Sequence, residues 1–468
     1  MPKYLLADIG STYTKLTAVD LGKGDIIGTA RHYTTVNTDV RIGYEKAFAL
    51  LAEKTHVMEY DKVFASSSAA GGLKMAAIGL VEELTVEAAK RVCLGAGGKV
   101  NLVYSHHITK KDAESIRDGD IDIVLLAGGT DGGNEDCVLY NARMLGEAGV
   151  KIPVVYAGNR ACQDQIQAIF KEYNIRGWIC DNVMPRLNVL NIESARKVIQ
   201  SIFMNNITEA KGIKKIETEF AEGIVPTPYA VLKAAELLSR GYADETGLGE
   251  IVVIDIGGAT TDFYSVCSGM PKQANVFVHG LEEPFAKRTV EGDLGMRYSA
   301  PGIIKNLSDE TIKKYREQGI DLLREAEFRH SRPAFLPRDE RDEYVDSVLA
   351  KLCVDIATSR HVGTFSTVYT PLGVMHYQTG KDLSEVKYIV GTGGVIIYDR
   401  HAYDILKSAL YDAGKPTELR PRKPAFLLDG DYLTSAMGLL GRHHPEIALR
   451  IMKKRFRKIV GNDYESAK

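Results

Sequence analysis

Short hydrophobic runs, each ending at a glycine-rich turn, occur at two distant places in the chain. At the first, the run 4–9 leads into Gly-Ser-Thr at 10–12 and then into the β-rich segment 15–19. At the second, the segment 251–266 reads IVVIDIGGATTDFYSV, with hydrophobic runs on both sides of a Gly-Gly-Ala-Thr turn. A hydrophobic run, a tight turn of small residues and a second β-rich run predict a β-hairpin. Both hairpins carry Asp-Ile-Gly, which suggests two related halves that each give one turn to a shared cleft.

The pattern changes between residues 95 and 215, where strand-like and helix-like segments alternate. The strand-like segments are 100–105, 121–129, 152–158 and 177–183, and the helix-like segments are 109–118, 134–148, 160–173 and 192–205. Strands that alternate with helices at this spacing indicate βαβ units and a parallel sheet. We therefore predict an inserted α/β domain here.

The rest of the chain divides around this insert. Helices are predicted at 43–55, 229–241, 308–330, 343–361 and 400–413, and a strand at 387–394. We predict an α/β fold class in four parts: the N-terminal part of a first half at 1–94, the inserted domain at 95–215, a connecting helix region at 216–250 and a second half at 251–468.

Composition and charge exclude several classes of protein. Hydrophobic residues make up 45% and charged residues 26% of the chain, which is the balance of a globular enzyme. The formal net charge of −2 argues against a nucleic-acid-binding protein. The chain has neither the apolar run of about 18 residues that a membrane span needs nor a secretory signal. Because the six cysteines form no CxxC pair, we expect reduced thiols in a cytoplasmic protein.

The two predicted turns can bind phosphate. Backbone N–H groups in a turn of small residues form a concave array that attracts phosphate oxygens, and nearby hydroxyl and ammonium groups add donors. Asp8 and Asp255 precede the turns and are anionic, so their expected partner is a Mg²⁺ ion that bridges to the phosphates. Either turn alone could be a plain hairpin, but two copies favour the phosphate interpretation. The predicted phosphate-binding residues are Gly10, Ser11, Thr12, Thr14, Lys15, Gly257, Gly258, Thr260 and Thr261.

A third glycine-rich element forms the end of the predicted strand at 387–394, directly after its Tyr-Ile-Val run. Its residues Gly391, Thr392, Gly393 and Gly394 would let the backbone approach a flat or phosphorylated ligand closely; a flexible turn is the alternative. Other nucleotide motifs are missing from the sequence. No Gly-Lys pair is followed by Ser or Thr as in a P-loop, and no complete GxGxxG supports a dinucleotide site.

This set of motifs resembles the actin-like ATPase superfamily, which includes actin, Hsp70 chaperones, and sugar and acetate kinases. The order also matches: a first phosphate loop at 8–15, a connecting helix at 226–241, a second phosphate loop at 255–262, an adenosine loop at 391–394 and a second connecting helix at 434–441. More narrowly, the segments DIGSTYTK, LLAGGTDGGN, DIGGATTD and VEGDLGMR resemble the glutamate mutase accessory protein family (GlmL, also called MutL). The resemblance implies two actin-like, ribonuclease H-like halves around a nucleotide cleft.

The resemblance also implies roles for individual residues. Asp8 and Asp255 match the aspartates that orient the metal and the attacking water, and Asp262 matches the carboxylate that closes the second phosphate loop. The other implied nucleotide neighbours are Gly393 and Gly394 beside the adenosine, and Glu291 and Asp293 in an acidic segment for which a solvated loop is the alternative.

The family implies an ATP-dependent accessory protein for an adenosylcobalamin-dependent mutase or aminomutase, with ATP and Mg²⁺ as cofactors. Its expected task is reactivation, in which ATP-driven motion of the two halves releases damaged cobalamin from the mutase. Chaperone-type members carry a water-orienting glutamate just before Pro-Thr, where this chain has Val225. A valine cannot accept a proton or orient water, so we expect slow hydrolysis.

Several alternatives stay open. A small-molecule kinase of the same superfamily would transfer phosphate to an acceptor, and an actin-like filament would not be catalytic. The glycine-rich loop at 127–134 either contacts the mutase or its cobalamin, or forms a tight turn capped by Asp131. The basic segment at 448–460 either docks an acidic partner or is a solvated helix face. The oligomeric state is open, with a homodimer among the alternatives.

Overall fold

The computed structural model describes residues 2–35, 39–68, 73–208, 220–371 and 373–461. Its strands are β1 (Lys3–Ile9), β2 (Tyr13–Asp20), β3 (Asp25–Tyr33), β4 (Lys62–Ser67), β5 (Leu73–Gly79), β6 (Gly98–Ser105), β7 (Ile123–Leu126), β8 (Val154–Tyr156), β9 (Gly177–Ile179), β10 (Ile224–Pro226), β11 (Gly241–Tyr242), β12 (Glu245–Thr246), β13 (Ile251–Ile256), β14 (Thr261–Val266), β15 (Val276–His279), β16 (Ala286–Glu291), β17 (Thr364–Thr370), β18 (Gly373–Thr379), β19 (Tyr388–Thr392), β20 (Ala425–Leu428) and β21 (Arg457–Ile459).

The α-helices are α1 (Val40–Thr55), α2 (Glu87–Gly95), α3 (Lys110–Asp118), α4 (Asp136–Glu147), α5 (Gln163–Glu172), α6 (Glu193–Thr208), α7 (Thr227–Arg240), α8 (Ala300–Lys305), α9 (Asp309–Glu317), α10 (Leu322–His330), α11 (Glu340–His361), α12 (Gly394–Tyr398), α13 (Ala402–Lys407), α14 (Thr434–Leu440) and α15 (Pro445–Arg455). A π-helical turn at Glu82–Val86 precedes α2, and a 3₁₀ turn at Arg160–Cys162 precedes α5.

The first half is built on a five-stranded sheet with the order β10-β4-β1-β2-β3. The predicted hairpin is β1–β2, which pairs antiparallel, and β3 extends it antiparallel to β2. On the other side, β4 and β10 run parallel to β1. The hydrophobic run of β1 is buried along almost its whole length, which places the strand at the centre of this sheet.

The second half repeats this arrangement in a six-stranded sheet with the order β16-β14-β13-β19-β20-β21. The second predicted hairpin is β13–β14, and β16 pairs antiparallel with β14. On the other side, β19 and β20 run parallel to β13. Each half therefore combines a central hairpin, an antiparallel third strand and two parallel strands, which confirms the predicted fold of two related halves.

A five-stranded parallel sheet lies between β4 and β10 in the chain, with the order β6-β5-β7-β8-β9. All its neighbouring strands are parallel, as the alternation of strands and helices predicts. The second strand in this order is β5. It begins at Leu73, which is ahead of residue 95, where the inserted domain is predicted to start. The domain boundaries themselves stay a prediction.

Helices α7 and α14 pack against each other within a hydrophobic core shared by the two halves. This core contains Leu6 of β1, Val253 of β13, Ala234 of α7 and Met437 of α14. The two helices approach so closely that a Cβ atom on Gly438 would lie 1.8 Å from the carbonyl oxygen of Ala230. Glycine is therefore required at this crossing, and the contact joins the two halves.

Other elements differ from the prediction. The segment 308–330 forms two helices, α9 and α10, because the chain turns at Gly319 with a φ of +82°. The helix predicted at 400–413 is shorter, since α13 ends at Lys407. A small sheet with the order β15-β18-β17 has no counterpart in the prediction.

The basic segment near the C-terminus forms α15 followed by β21, and three of its cations pair within the chain. Lys453 pairs with Glu245, and Arg455 donates to Asp25 at 2.9 Å. Lys454 reaches the other oxygen of Asp25. These pairs tie the C-terminal helix to the first half and to the turn after α7.

Two further observations bear on the predicted class. Of the helices in the described ranges, none has both the length and the apolar character required to span a bilayer. The six cysteines are all buried and free, as expected for reduced thiols.

Candidate functional site

The two hairpin turns have the same construction. In the first, the Gly10 N–H donates to the carbonyl of Tyr13 at 3.1 Å, and in the second the Gly257 N–H donates to the carbonyl of Thr260 at 2.9 Å. The aspartates occupy the same strand position, one residue before the last residue of β1 and of β13. Their partners across the hairpins differ in charge, since Asp8 pairs in register with Lys15 and Asp255 with Asp262.

Asp8 is buried, and its carboxylate accepts hydrogen bonds from side chains of three different elements. Thr227, the first residue of α7, donates to Oδ1 at 2.7 Å. Ser66 on the neighbouring strand β4 donates to the same oxygen at 3.3 Å. Lys15 lies 3.3 Å from Oδ2. The carboxylate is therefore held on both oxygens by side chains from three different elements.

Asp255 has different surroundings. Among the residues that the structure describes, its carboxylate has no hydrogen-bond donor. Burial raises its pKa from 3.8 to about 7, and the negative charges of Asp262, Asp8 and Asp429 act in the same direction, while Lys15 opposes the shift. Asp255 therefore lies within electrostatic reach of Asp8 and Lys15 in the first hairpin. The space between the two turns is referred to as the gap.

Lys15 connects the two halves across this gap. Its ammonium group lies against Asp8 of its own hairpin and 4.4 Å from the ring centroid of Tyr432 in the second half. Tyr432 in turn lies beside the third glycine-rich element, since a Cβ atom on Gly394 would be 3.1 Å from its hydroxyl oxygen.

The element at 391–394 lies against the second hairpin. Gly393 has a φ of +93°, and a Cβ atom there would lie 2.4 Å from the Ile256 carbonyl oxygen and 2.8 Å from Asp255 Oδ1. Thr392, which pairs in register with Asp255, donates its hydroxyl to Asp429 at 3.3 Å. Gly391 faces the opposite way and packs against Ile396 and Leu406. The element thus brings Gly393 and Gly394 to the gap.

The predicted phosphate-binding hydroxyls fall into two groups. Thr14 and Thr261 are completely buried. The Thr14 hydroxyl bonds to that of Thr34 at 2.9 Å, and the Thr261 hydroxyl donates to the Leu294 carbonyl at 2.9 Å. The turn residues Gly10, Ser11, Thr12, Gly257, Gly258 and Thr260 are partly or fully exposed. Because the N–H groups of Gly10 and Gly257 are engaged in the hydrogen bonds that close the turns, the backbone N–H array that can bind phosphate comes from the other turn residues.

Asp262 is engaged by a buried arginine. Arg288 donates to its Oδ1 from Nε at 2.8 Å and from Nη2 at 2.6 Å, while Thr260 donates to Oδ2 at 3.2 Å. The same arginine donates to the Gly98 carbonyl at 2.9 Å at the start of β6. Arg288 therefore connects the second hairpin to the parallel sheet.

Glu291 and Asp293 share a partner in Arg360. The guanidinium lies 2.5 Å from Glu291 Oε2 and contacts both oxygens of Asp293 at 2.8 and 2.9 Å. Burial raises the pKa of Glu291, and the hydrogen bonds from Arg360 lower the pKa of Asp293 to about 2. A groove of about 550 Å³ runs past both carboxylates between β6 and β16.

The segment that follows Glu291 supports the second turn from behind. The N–H groups of Met296 and Arg297 donate to the carbonyls of Gly257 and Gly258 at 3.0 and 2.8 Å. A Cβ atom on Gly295 would lie 2.5 Å from the carbonyl carbon of Ala259. The VEGDLGMR segment therefore fixes the shape of the second turn through its backbone.

Sequence reasoning missed Ser66, Thr227, Arg288, Asp429 and Tyr432. Each contacts a predicted site residue from a distant part of the chain, so no local pattern marks it. A signal existed only for Thr227, because a threonine beside a proline at the start of a helix can turn its hydroxyl toward the preceding strand end.

The donor set suits a magnesium ion that arrives with phosphates. Oxygen ligands are the ones that Mg²⁺ prefers, and it commonly uses one or two carboxylates plus phosphate oxygens. Asp8 and Asp255 supply two carboxylates at one gap. Within the described residues, no group of three or more His, Cys, Asp or Glu side chains is placed to hold a metal ion by itself.

A buried apolar side chain, that of Val225, occupies the position at which the resemblance implies a water-orienting glutamate. Val225 lies in β10, paired in register with Ser66, and is 6% exposed. It packs in the core shared by the two halves. The side chain that reaches Asp8 from this segment is that of Thr227, two residues after Val225.

The glycine-rich loop at 127–134 follows β7 at the carboxyl edge of the parallel sheet. Two buried side chains hold it: Asn159 accepts from the Gly132 N–H at 2.9 Å, and Asn182 donates to the Gly129 carbonyl at 3.0 Å. Asp131 accepts from the Arg160 N–H and from Asn182, both at 2.9 Å. The loop is thus a tight turn in which Asp131 caps a neighbouring segment.

Comparisons with solved structures find distant similarities. A gluconate kinase from Lactobacillus acidophilus is 11% identical with a TM-score of 0.34, covering 98% of this chain and 93% of that one. The ethanolamine utilization protein EutJ from Carboxydothermus hydrogenoformans is 11% identical with a TM-score of 0.30, covering 96% and 90%.

Sequence comparisons are much stronger. The family model described as MutL protein matches residues 4–456. Protein MutL of Clostridium tetanomorphum is 48% identical over 463 residues, which covers 98% of this chain and 100% of that protein. With a family match over nearly the whole chain and a relative of this identity and coverage, the chain belongs to the MutL protein family.

Proposed function

We propose that this protein is an ATP-hydrolysing accessory protein that reactivates an adenosylcobalamin-dependent mutase or aminomutase. The observation that supports it most is the pair of equivalent aspartate-bearing turns, whose carboxylates interact electrostatically across one gap. A triphosphate held between two turns draws the halves together, and its hydrolysis and release let them separate. Such motion can supply the work needed to expel a tightly bound, damaged cobalamin from the partner enzyme.

The chain's own residues would divide the work as follows. The N–H groups of the two turns bind phosphate oxygens, and Lys15 supplies positive charge between them. Asp8 and Asp255 would hold Mg²⁺, which when bound neutralises phosphate charge. In hydrolysis, a water oxygen bonds to the γ-phosphorus as the bond to the β-phosphate oxygen breaks, and the proton of the water passes to a carboxylate of the gap.

Slow turnover belongs to this proposal. Val225 offers no oxygen to orient the attacking water, and Asp8 is already occupied by three donors. A slow ATPase stays in each nucleotide state long enough to act as a conformational switch. We therefore expect a steady-state turnover below the usual enzyme range of about 1–1000 per second.

The connection through Arg288 supports a route from the nucleotide to the parallel sheet. Asp262 pairs with Asp255 across the hairpin, and Arg288 joins Asp262 to the Gly98 carbonyl of β6. A displacement of the second turn would therefore pull on the parallel-sheet region. That region offers the surface that we propose contacts the mutase.

The prediction of a cytoplasmic protein fits the six free, buried cysteines.

The test measures phosphate release and mutase reactivation together. The chain is first used to capture mutases from a native lysate, once with ATP and once without it. The purified chain is then incubated with Mg²⁺ and ATP, with and without the captured mutases. We expect slow phosphate release that the cognate mutase stimulates, and return of activity to a mutase loaded with hydroxocobalamin once adenosylcobalamin is added. Asp8→Asn and Asp255→Asn should lose both effects. ADP formation that requires a small-molecule acceptor would favour a kinase, and ATP-dependent sedimenting polymers would favour a filament.

A further inference from the structure

Both helices that cross between the halves begin with a threonine whose hydroxyl donates to an aspartate. Thr227 at the start of α7 donates to Asp8 Oδ1 at 2.7 Å. Thr434 at the start of α14 donates to Asp429 Oδ2 at 2.6 Å. The two contacts have the same chemistry at equivalent ends of a matched pair of helices.

The two aspartates differ in their relation to the gap. Asp8 is the strand-end aspartate of the first hairpin, next to the phosphate-binding turn. Asp429 follows β20 and also accepts from the N–H groups of Leu433 and Thr434, so it caps the start of α14. Asp255, the strand-end aspartate of the second hairpin, has no such threonine. Among the described residues, a connecting helix therefore holds the hairpin aspartate in the first half alone.

The position of α7 depends on the second half. Its residue Ala230 is in backbone contact with Gly438 of α14, where even one added carbon atom would overlap. A rigid helix transmits a displacement at this crossing to its first residue, which lies less than one turn away. Thr227 follows Pro226, the last residue of β10, which pairs in register with Ser67 of β4. The sheet therefore anchors the start of α7, and a shift of the helix acts on the Thr227 hydroxyl beside this anchor.

We propose that Thr227 is a positioning residue that sets the direction of the Asp8 carboxylate and makes it depend on the position of α7. The inference rests on the proposed function, in which Asp8 serves bound Mg²⁺ and nucleotide. When the halves rotate about the crossing of α7 and α14, the hydroxyl of Thr227 moves and the carboxylate turns with it. Domain motion and the affinity for the metal-bound nucleotide are thereby coupled through one hydrogen bond.

The strength of this contact fits the role. At 2.7 Å the Thr227 contact with the Asp8 carboxylate is shorter than the 3.3 Å contacts of Ser66 and Lys15, and short hydrogen bonds to carboxylates are among the stronger ones in proteins. Thr227 is therefore the dominant restraint on the rotation of the Asp8 carboxylate. Even a small misorientation of a metal ligand strongly lowers the affinity for the metal and the reaction rate.

The test compares Thr227→Val, Thr227→Ser and the matched control Thr434→Val. Valine keeps the shape of threonine and removes the hydroxyl, whereas serine keeps the hydroxyl. The first readout is the affinity for a fluorescent ADP analogue with and without Mg²⁺, which needs no turnover. The second is the Mg²⁺ concentration that gives half-maximal ATP hydrolysis. Melting temperatures of the nucleotide-free proteins report on folding.

We expect Thr227→Val to weaken nucleotide binding about tenfold or more in Mg²⁺ and by less than about threefold without it. Its half-maximal Mg²⁺ concentration should rise by a similar factor, and Thr227→Ser should restore both values. Thr434→Val should lower the melting temperature but leave the dependence on Mg²⁺ as in the wild type.

A Thr227→Val protein that melts cooperatively and depends on Mg²⁺ like the wild type would overturn the inference while the proposed function stands. Equal effects of Thr227→Val and Thr434→Val on Mg²⁺ dependence would also overturn it, because they would reveal general loosening of the helix crossing. A wild-type protein that neither binds nor hydrolyses nucleotide would instead remove the proposed function, and the inference with it.

Discussion

The ammonium group of Lys15 lies 4.4 Å from the ring centroid of Tyr432, and the two residues belong to opposite halves of the molecule. The same ammonium lies 3.3 Å from Asp8. One cation thus forms an ion pair with a carboxylate of the first hairpin and a cation–π contact with an aromatic ring of the second half. Attraction of a cation to an aromatic face is worth about 0.5–2 kcal/mol, which is weak enough for the proposed motion of the halves to break the contact.

Replacing Lys15 with methionine should weaken binding of ATP about tenfold or more, because the change removes the positive charge between the two turns. Competition titrations with a fluorescent nucleotide would measure the affinity. The matched control is Lys23→Met in the turn between β2 and β3, which changes the net charge equally. If both variants bind ATP alike, Lys15 acts through net charge and its place in the gap is irrelevant.

Asp255 should make the nucleotide-free protein less stable as the pH rises. Its pKa is raised from 3.8 to about 7 in the folded protein, so between pH 4 and pH 7 the folded state binds more protons than the unfolded state. The free energy of unfolding must then fall as the pH increases through this window. The effect is on the order of 2–4 kcal/mol.

Asp255→Asn tests this directly, since asparagine does not titrate. The variant should match the wild type near pH 4 and increasingly exceed its free energy of unfolding up to pH 8, measured by urea denaturation without Mg²⁺ or nucleotide. Curves for the two proteins that run parallel from pH 5 to pH 8 would show that Asp255 is ionised throughout.

Arg288 should be important for stability as well as for communication between the second turn and the parallel sheet. Arg288→Met leaves the Asp262 carboxylate buried without its partner and removes a donor from the Gly98 carbonyl. Breaking a buried ion pair in this way costs about 3–5 kcal/mol. Urea denaturation would measure the loss.

The control for this variant is Arg400→Met, which breaks an exposed pair with Glu343 and should change the free energy of unfolding far less than Arg288→Met does. Adding Asp262→Asn to Arg288→Met should recover part of the stability, because the unpaired charge is removed. A double variant that is less stable still would mean that Asp262 contributes mainly through Thr260.

The sequence was sufficient to predict the two hairpins because their signal is local. A hydrophobic run, a short turn of small residues and a second β-rich run follow one another directly in the sequence, and together they predict a hairpin. The same holds for the parallel sheet, whose strands and helices alternate at regular spacing. The donors around Asp8 could not be predicted, since Ser66 and Thr227 reach it only after β4 and β10 have joined the sheet.

Side-chain direction within the hairpins follows from strand geometry. Successive side chains in a strand point to opposite faces, so a hairpin that turns Lys15 toward the gap turns Thr14 toward the core. The same alternation separates Asp262 from Thr261, whose hydroxyl bonds to the Leu294 carbonyl. Which face is the core depends on the layer that covers the sheet, and that layer comes from distant parts of the chain.

Gly393 offers a test of how closely the third glycine-rich element must approach the second hairpin. A side chain there would be strained by the φ of +93° and would overlap the Ile256 carbonyl oxygen and the Asp255 carboxylate. Gly319→Ala is the matched control, because its φ is +82° and a Cβ atom there would meet nothing within 4 Å. We expect Gly319→Ala to cost about 1 kcal/mol from backbone strain alone.

Gly393→Ala should cost about 2–5 kcal/mol, because overpacking adds to that strain. It should also weaken nucleotide binding, since the overlap displaces Asp255 itself. Urea denaturation and nucleotide titration on the same samples separate the two effects. Equal losses of stability in the two variants would mean that the contact with Asp255 yields easily, and that strain in the backbone is the sole reason for glycine at this position.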